Sequence, residues 1–260
     1  MLEKCVNFIH RWMLNNNLKL NDSKSEFLVI GTPQQISKIS IDDVRVGSSN
    51  VIPSVTARNL GVYFDTNLNM ETHVKNICKS TYYLLYNLRR IRKYFDQESM
   101  KLVVHALITS KLDYCNGLLF GMPDSLIAKL QRVQNACARL VYRRSKFTST
   151  APLLRELHWL PVRQRISFKI LLIVYKSLSG QAPNYITELL QLKVQSHSHS
   201  LRSSTDKLLF QIPHGKTKIT LGDRAFAIAA PKLWNSLPIE IRSTPSLNVF
   251  KSNLKTYLFN

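Results

Sequence analysis

Few side chains in this 260-residue sequence stand at spacings from which catalysis could be built. The only adjacent acids are Asp42 and Asp43. Two neighbouring carboxylates could hold part of a Mg²⁺ shell, but a single turn with no third carboxylate nearby cannot build the oxygen-rich shell that ion prefers, so they are expected to be solvated turn acids. His197 and His199 offer two metal ligands without a third or fourth and are read as loop residues. Cys5, Cys78, Cys115 and Cys137 form no CxxC pair, which argues against a zinc knuckle or a disulfide framework and predicts buried thiols in a reducing compartment. Asp113 and His158 lack a Ser or Cys partner at an interpretable spacing, so no hydrolytic chemistry is assigned.

The spacing does support binding to a polyanion. The 36 Lys and Arg outnumber the 16 Asp and Glu, for a formal charge of +20. Residues 1–66 hold seven bases against six acids, residues 67–145 thirteen against five, and residues 146–260 sixteen against five. The bases are interleaved with apolar residues at helical spacing, which places them on folded helices and not in a basic tail. At about 100° per residue, Lys75, Lys79, Tyr82, Tyr86, Arg89, Arg90 and Lys93 project within roughly 60° of one direction. A second row, Lys129, Arg132, Arg139 and Arg143, lies opposite an apolar stripe. Rows of this kind meet phosphates and confer affinity without sequence preference, and the two phenols could pack on a sugar or stack on a base. An ordinary solvated helix face, with the tyrosines covering a neighbouring helix, is the other reading.

The elements that must carry these rows follow from hydrophobic periodicity. Leu2, Cys5, Val6, Ile9, Trp12 and Met13 predict a helix ending near Asn15, where an Asn run suits a left-handed cap. Glu26–Ile30, Ile36–Val46 and Asn59–Phe64 read as strands of a small antiparallel sheet, separated by Gly31, Pro33, Gly47 and Pro53. From Met70 to Phe95 the apolar set Val74, Ile77, Thr81, Leu84, Leu88, Ile91 and Phe95 predicts a long helix, with Cys78 and Leu85 at its margin. Further helices are expected over Ser99–Leu112, over Asp124–Arg143 with Asp124 as a cap, over Val162–Leu178, and over Leu247–Leu258. Residues 195–204 read as a polar loop. Trp12, Trp159 and Trp234 fall on apolar segments and are expected to anchor cores.

Several of these segments share an ordered set of motifs. Trp12, Asn17, Leu18, Leu20, Asn21, Lys24 and Glu26 are followed by Arg58-Asn59-Leu60-Gly61-Val62-Tyr63-Phe64-Asp65, then by Leu112-Asp113-Tyr114-Cys115-Asn116. Next come Leu130-Gln131-Arg132-Val133-Gln134-Asn135-Ala136 and Leu157-His158-Trp159-Leu160-Pro161-Val162 with Arg165-Ile166. Ala230 to Pro238 and Phe250-Lys251 complete the series. In this order they resemble the part of LINE-type, jockey-like non-LTR retrotransposon reverse transcriptases that follows the catalytic aspartate box.

The resemblance implies an α+β, mostly α fold. Residues 1–66 would be a small antiparallel palm-edge sheet, 67–145 a helical thumb, and 146–260 a helical C-terminal region. Leu60 and Gly61 match the motif at the palm edge, where the family grips the primer end. Lys24 matches a family lysine that is a candidate proton donor to pyrophosphate; without bound metals and nucleotide it is a surface lysine. The family's polymerase carboxylates, which hold two Mg²⁺ ions, have no counterpart in this sequence, so no cofactor and no polymerase activity are expected of it. Implied partners are RNA, DNA or an RNA/DNA hybrid, and the missing palm half. No run is apolar enough for a membrane span and no secretory signal is visible, which predicts an intracellular chain, nuclear or cytoplasmic and not secreted. The alternative is a protein-interaction module, or a relic without function, that docks an acidic or palm-like partner.

Overall fold

The computed structural model describes residues 2–47, 49–193, 208–213 and 222–259. The expected polar loop, with His197 and His199, lies outside the described residues. The chain is α+β and mostly helical, and it divides into two compact units, Met1–Asn76 and Ile77–Asn260.

In the first unit, helix α1 (Leu2–Asn15) ends at the Asn run, with Asn17 in the left-handed region (φ +57°). No residue of α1 is buried, and Trp12, expected in a core, is 55% exposed. The strands explain why: each spans only two to four residues, and they form three separate pairs that offer no continuous face to a helix. β1 (Phe27–Leu28) pairs in parallel with β4 (Pro53–Ser54). β2 (Val44–Val46) and β3 (Ser49–Val51) are antiparallel, as are β5 (Thr56–Asn59) and β6 (Val62–Asp65).

Two expected strands are corrected by local chemistry. Of Ile36–Val46 only Val44–Val46 is a strand, and Ile36 instead ends α2 (Pro33–Ile36), which Thr32 and Gln35 start with a capping box. The Thr32 hydroxyl accepts the Gln35 N–H (3.3 Å), and Gln35 Oε1 accepts the Thr32 N–H (2.9 Å). Asn59–Phe64 is a hairpin reversal, with Leu60 (φ +46°) and Gly61 (φ +86°) as its two turn residues. Positive φ at both positions matches the twist of the flanking strands. Asp42 and Asp43, expected in a turn, instead lead into β2; the reversal after that strand starts at Gly47 (φ +60°).

Hydrogen bonds join separate motifs of this unit. Glu26 Oε2 accepts the Arg58 N–H (2.9 Å). Asp65 accepts three backbone N–H groups, from Asn67 (3.2 Å), Asn69 (2.7 Å) and Met70 (2.6 Å), and so fixes the chain entering helix α3 (Glu71–Ile91).

α3 continues into the second unit, where its buried side is rotated from the expected one. Leu85 (1% exposed) is at its centre and not its margin, while Ile91 is exposed. The rotation follows from Arg92, the next residue on that side, which is buried as well. Next come α4 (Gln97–Val104), capped by Asp96, a single π-helical segment (His105–Thr109) and α5 (Ser110–Asp113). α6 (Asp124–Val141) starts at Asp124, which is no cap: its carboxylate pairs with Arg163. α7 (Ala151–Glu156), α8 (Val162–Leu178), α9 (Asn184–Thr187), α10 (Phe226–Asn235), α11 (Ile239–Arg242) and α12 (Leu247–Phe259) complete the unit. Among the described residues, no helix is long and apolar enough to cross a membrane.

The polar residues of the later motifs hold this unit together. Gln134, almost fully buried, donates to the Leu160 carbonyl (2.8 Å), and Gln131 Oε1 accepts the Val162 N–H (2.8 Å), joining α6 to the entry of α8. Asp113 accepts both Nε (2.7 Å) and Nη2 of Arg165, tying α5 to α8. Asn235 brackets the backbone of Phe210 with two hydrogen bonds. Tyr175, Phe250, Trp234 and Phe210 form a buried aromatic chain with centroid separations of 4.3, 5.8 and 6.1 Å. Trp159 and Trp234 are thus core anchors, as their apolar context predicts.

Candidate nucleic-acid interface

The first basic row lies on α3. Lys79, Tyr82, Tyr86, Arg89 and Arg90 of this helix and Lys93 just beyond it are exposed in the second unit; Lys75, on the helix's first turn in the first unit, is exposed too. The described ion pairs are Lys101–Glu98, Arg163–Asp124, Arg165–Asp113 and Lys232–Asp223, and none takes a member of either row. Lys93 extends over the Tyr94 ring (4.9 Å).

The second row, on α6, stands beside the first. Burial pushes the Cys78 thiol pKa up, while the charges of Lys129 and Arg132 pull it down. Burial and Cys78 raise the Tyr82 phenol, and Arg132 and Arg89 act against them. Groups of α3 therefore sit in the field of the α6 cations, and the two rows share one side of the unit. Near the C-terminal ends of both helices they meet in a groove of about 380 Å³, lined by Arg89, Arg92, Arg139, Arg143, Arg144 and Lys146 with Ala136 and Leu140. No acid lines it. Tyr82, Tyr86, Lys79, Arg90 and Lys93 stay outside the groove on the open face of α3, and Lys129 and Arg132 lie nearer the start of α6.

The groove has its own frame. Arg92, 8% exposed, donates from Nε to the Leu140 carbonyl (2.8 Å), from Nη2 to Val141 (2.6 Å) and from Nη1 to Phe95 (2.6 Å). A guanidinium there satisfies the carbonyls left open at the end of α6 and faces the negative end of the helix dipole. Burial lowers the Arg92 pKa, as does the nearby Arg143 charge, while Asp96 raises it. Arg143 adopts φ +52° just past the helix, with the Arg144 N–H on the Arg139 carbonyl (2.9 Å) and its own N–H on Leu140 (3.3 Å). This is a Schellman ending with arginine where glycine is usual. Its Nη2 donates to Phe95 (3.1 Å), and Arg139 Nε donates to the Thr148 carbonyl (2.9 Å), so two site residues also brace the loop.

Arg92, Arg144 and Lys146 were absent from the sequence-derived rows. Arg92 stands four residues after Leu88, in step with the buried side, a position at which a buried, carbonyl-capping arginine is legible. Arg144 and Lys146 follow the helix end and carry no periodic signal.

The other candidate residues stand elsewhere. Lys24 is exposed at the end of a single 3-10 turn, Asp22–Lys24. Leu60, at the β5–β6 reversal, is 83% exposed. Asp42 and Asp43 are exposed, Asp43 accepting from Asn50 Nδ2 (3.3 Å), and among the described residues no three His, Cys, Asp or Glu side chains gather as metal ligands. A polymerase Mg²⁺ pair does not fit the residues present. Cys5 and Cys115 are exposed, against the expectation of buried thiols, whereas Cys137 is buried and its pKa is pushed up to about 12 by that burial. Comparison with protein-family models, with curated proteins and with solved structures finds no match to this chain.

Proposed function

We propose that the chain is the post-catalytic part of a LINE-type reverse transcriptase, and that its second unit binds RNA, DNA or their hybrid duplex along the α3 and α6 rows without polymerising it. The observation that carries this reading is the acid-free groove where Arg89, Arg139 and Arg143 converge with Arg92, Arg144 and Lys146. Six cations around one groove match the charge of successive phosphates, and contact with phosphates alone gives affinity independent of sequence. The ordered motifs support the family assignment, and several are bonded to one another: Glu26 to the Arg58 N–H, Gln131 and Gln134 to the backbone of Val162 and Leu160, and Asp113 to Arg165.

The test is binding of the whole chain to a short RNA/DNA hybrid across a salt series, beside a variant with Arg89, Arg144 and Lys146 of the groove, and Lys79 beside it, changed to Gln. Expected is a steep fall of affinity with salt, the log–log slope shrinking by about 0.9 for each phosphate contact removed. Equal slopes in the two proteins would remove the site.

A second reading, a protein-docking module, is favoured by α1. Its exposed Leu2, Ile9 and Trp12 recur at helical spacing, and Phe8 beside them is 70% exposed. Contiguous exposed apolar surface marks interfaces. A palm-like partner would cover that stripe.

A further inference from the structure

The second unit holds another cavity, of about 500 Å³, between α4, the π-helical segment, α5, the segment before α8, α8 itself and α12. Its size falls among small-ligand sites, and it combines an apolar wall with few polar groups, as such sites do. Leu157, Trp159 and Leu160 form the buried wall, with Phe168 half-buried beside them.

The polar groups have an unusual imbalance. Asn116 is 4% exposed, and its Nδ2 donates to Asp113 Oδ1 (3.4 Å). Asp113 already accepts from Arg165 through both oxygens, and this fixes the amide orientation: the flipped amide would set oxygen against oxygen. Asn116 Oδ1 is then left buried with no hydrogen-bond partner. A buried acceptor without a donor is costly, and a bound N–H removes the cost. Lys169 and Lys255 reach the same cavity with no acidic partner among the described residues. Burial lowers the Lys255 pKa and the charge of Arg165 adds to it, so an anion there would be welcomed. A π-helical segment forms one edge, and such insertions recur at functional sites.

We propose that this cavity binds a small planar organic anion carrying a ring N–H, with the ring against the Leu157–Trp159–Leu160 wall, the N–H on Asn116 Oδ1, and the anionic group on Lys169 and Lys255. A fatty acid lacks the donor, a sugar phosphate lacks the apolar body, and inorganic phosphate lacks both. This site shares no residue with the α3–α6 groove, so it stands or falls separately from nucleic-acid binding.

Titration calorimetry of the full chain tests it with four probes: indole-3-acetate, 1-naphthaleneacetate (same shape and charge, no N–H), indole (no charge) and indol-3-yl phosphate (ring N–H with a phosphate). Expected is saturable binding of indole-3-acetate or the indolyl phosphate at millimolar concentration or below, with the naphthalene and uncharged analogues about tenfold weaker. Whichever of the two binds more tightly identifies a carboxylate or a phosphate as the anion. Asn116→Leu should weaken the N–H ligand about tenfold and leave 1-naphthaleneacetate unchanged. The exposed-side double variant Lys169→Gln/Lys255→Gln, which leaves the core intact, should weaken every charged probe. No saturable binding, equal binding of indole-3-acetate and 1-naphthaleneacetate, or no effect of the lysine substitutions would overturn the proposal.

Discussion

Replacing Arg143 separates what the groove needs from what the fold needs. At φ +52° an L-residue in the left-handed region costs about 1 kcal/mol or more, a penalty that glycine escapes. Both Arg143→Gly and Arg143→Ala lose the bond to the Phe95 carbonyl, worth about 0.5–1.5 kcal/mol, and both lose one cation from the groove. They differ in backbone conformation: alanine keeps the strain and glycine removes it. Arg143→Gly is therefore expected to be more stable than Arg143→Ala by about 1 kcal/mol, or roughly 2–4 °C in Tm for a chain of this size. Hybrid-duplex binding should weaken equally in the two, with the salt slope reduced by about 0.9. Thermal melting and a salt series on the same preparations provide both readouts. If alanine matches glycine in Tm, the strain argument fails; if neither changes the slope, Arg143 touches no phosphate.

Three other expectations concern the frame. Asp65→Ala leaves three backbone N–H groups without their acceptor, and hydrogen exchange at Asn69 and Met70 should accelerate as the start of α3 loses about 1.5–3 kcal/mol. A thiol reagent should modify Cys5 and Cys115 quickly in the native chain and Cys137 only on unfolding, as burial and a pKa near 12 deny it thiolate; rapid labelling of Cys137 would refute its placement. Burial lowers the His73 pKa below 6.5, and its Nδ1 accepts the Tyr63 N–H (3.5 Å). The unfolded chain therefore binds the proton more readily than the folded one. Stability from this group is present above pH 6.5 and is lost as pH falls toward its depressed folded value; a His73→Gln variant should show a flatter acid limb in β5–β6 exchange.

Long helices were legible because their apolar period runs for many residues: α3, α6, α8 and α12 stand close to where Val74–Leu88, Leu126–Val141, Ile166–Val174 and Phe250–Leu254 place them. α7, α9, α10 and α11 left no such trace, being only four to ten residues long and following or containing proline. Among the strands, β-rich composition hid two local signals, the Thr32/Gln35 capping box and the Leu60-Gly61 reversal, since hydrophobicity cannot distinguish a strand from a tight turn between two strands. The phase of α3 was misjudged by roughly 50°, because averaging apolar positions cannot anticipate that Arg92 goes inside once three carbonyls receive it. Both basic rows were readable from spacing alone, but their meeting depends on the packing of helices some 50 residues apart in sequence. The small-ligand cavity was invisible: its walls come from segments spread between Lys101 and Lys255, and its defining property, one unmatched oxygen on Asn116, exists only in three dimensions.

Five of the six cations around the α3–α6 groove are arginines, and arginine keeps its charge at any pH a protein survives. Phosphodiesters are likewise ionised throughout that range. Neither side of the proposed contact can therefore respond to acidification, and ionic strength becomes the one solution variable to which the grip answers. The other cavity holds Lys255, whose pKa is lowered by burial and by the charge of Arg165, so a grip there would depend on a proton as well as on salt.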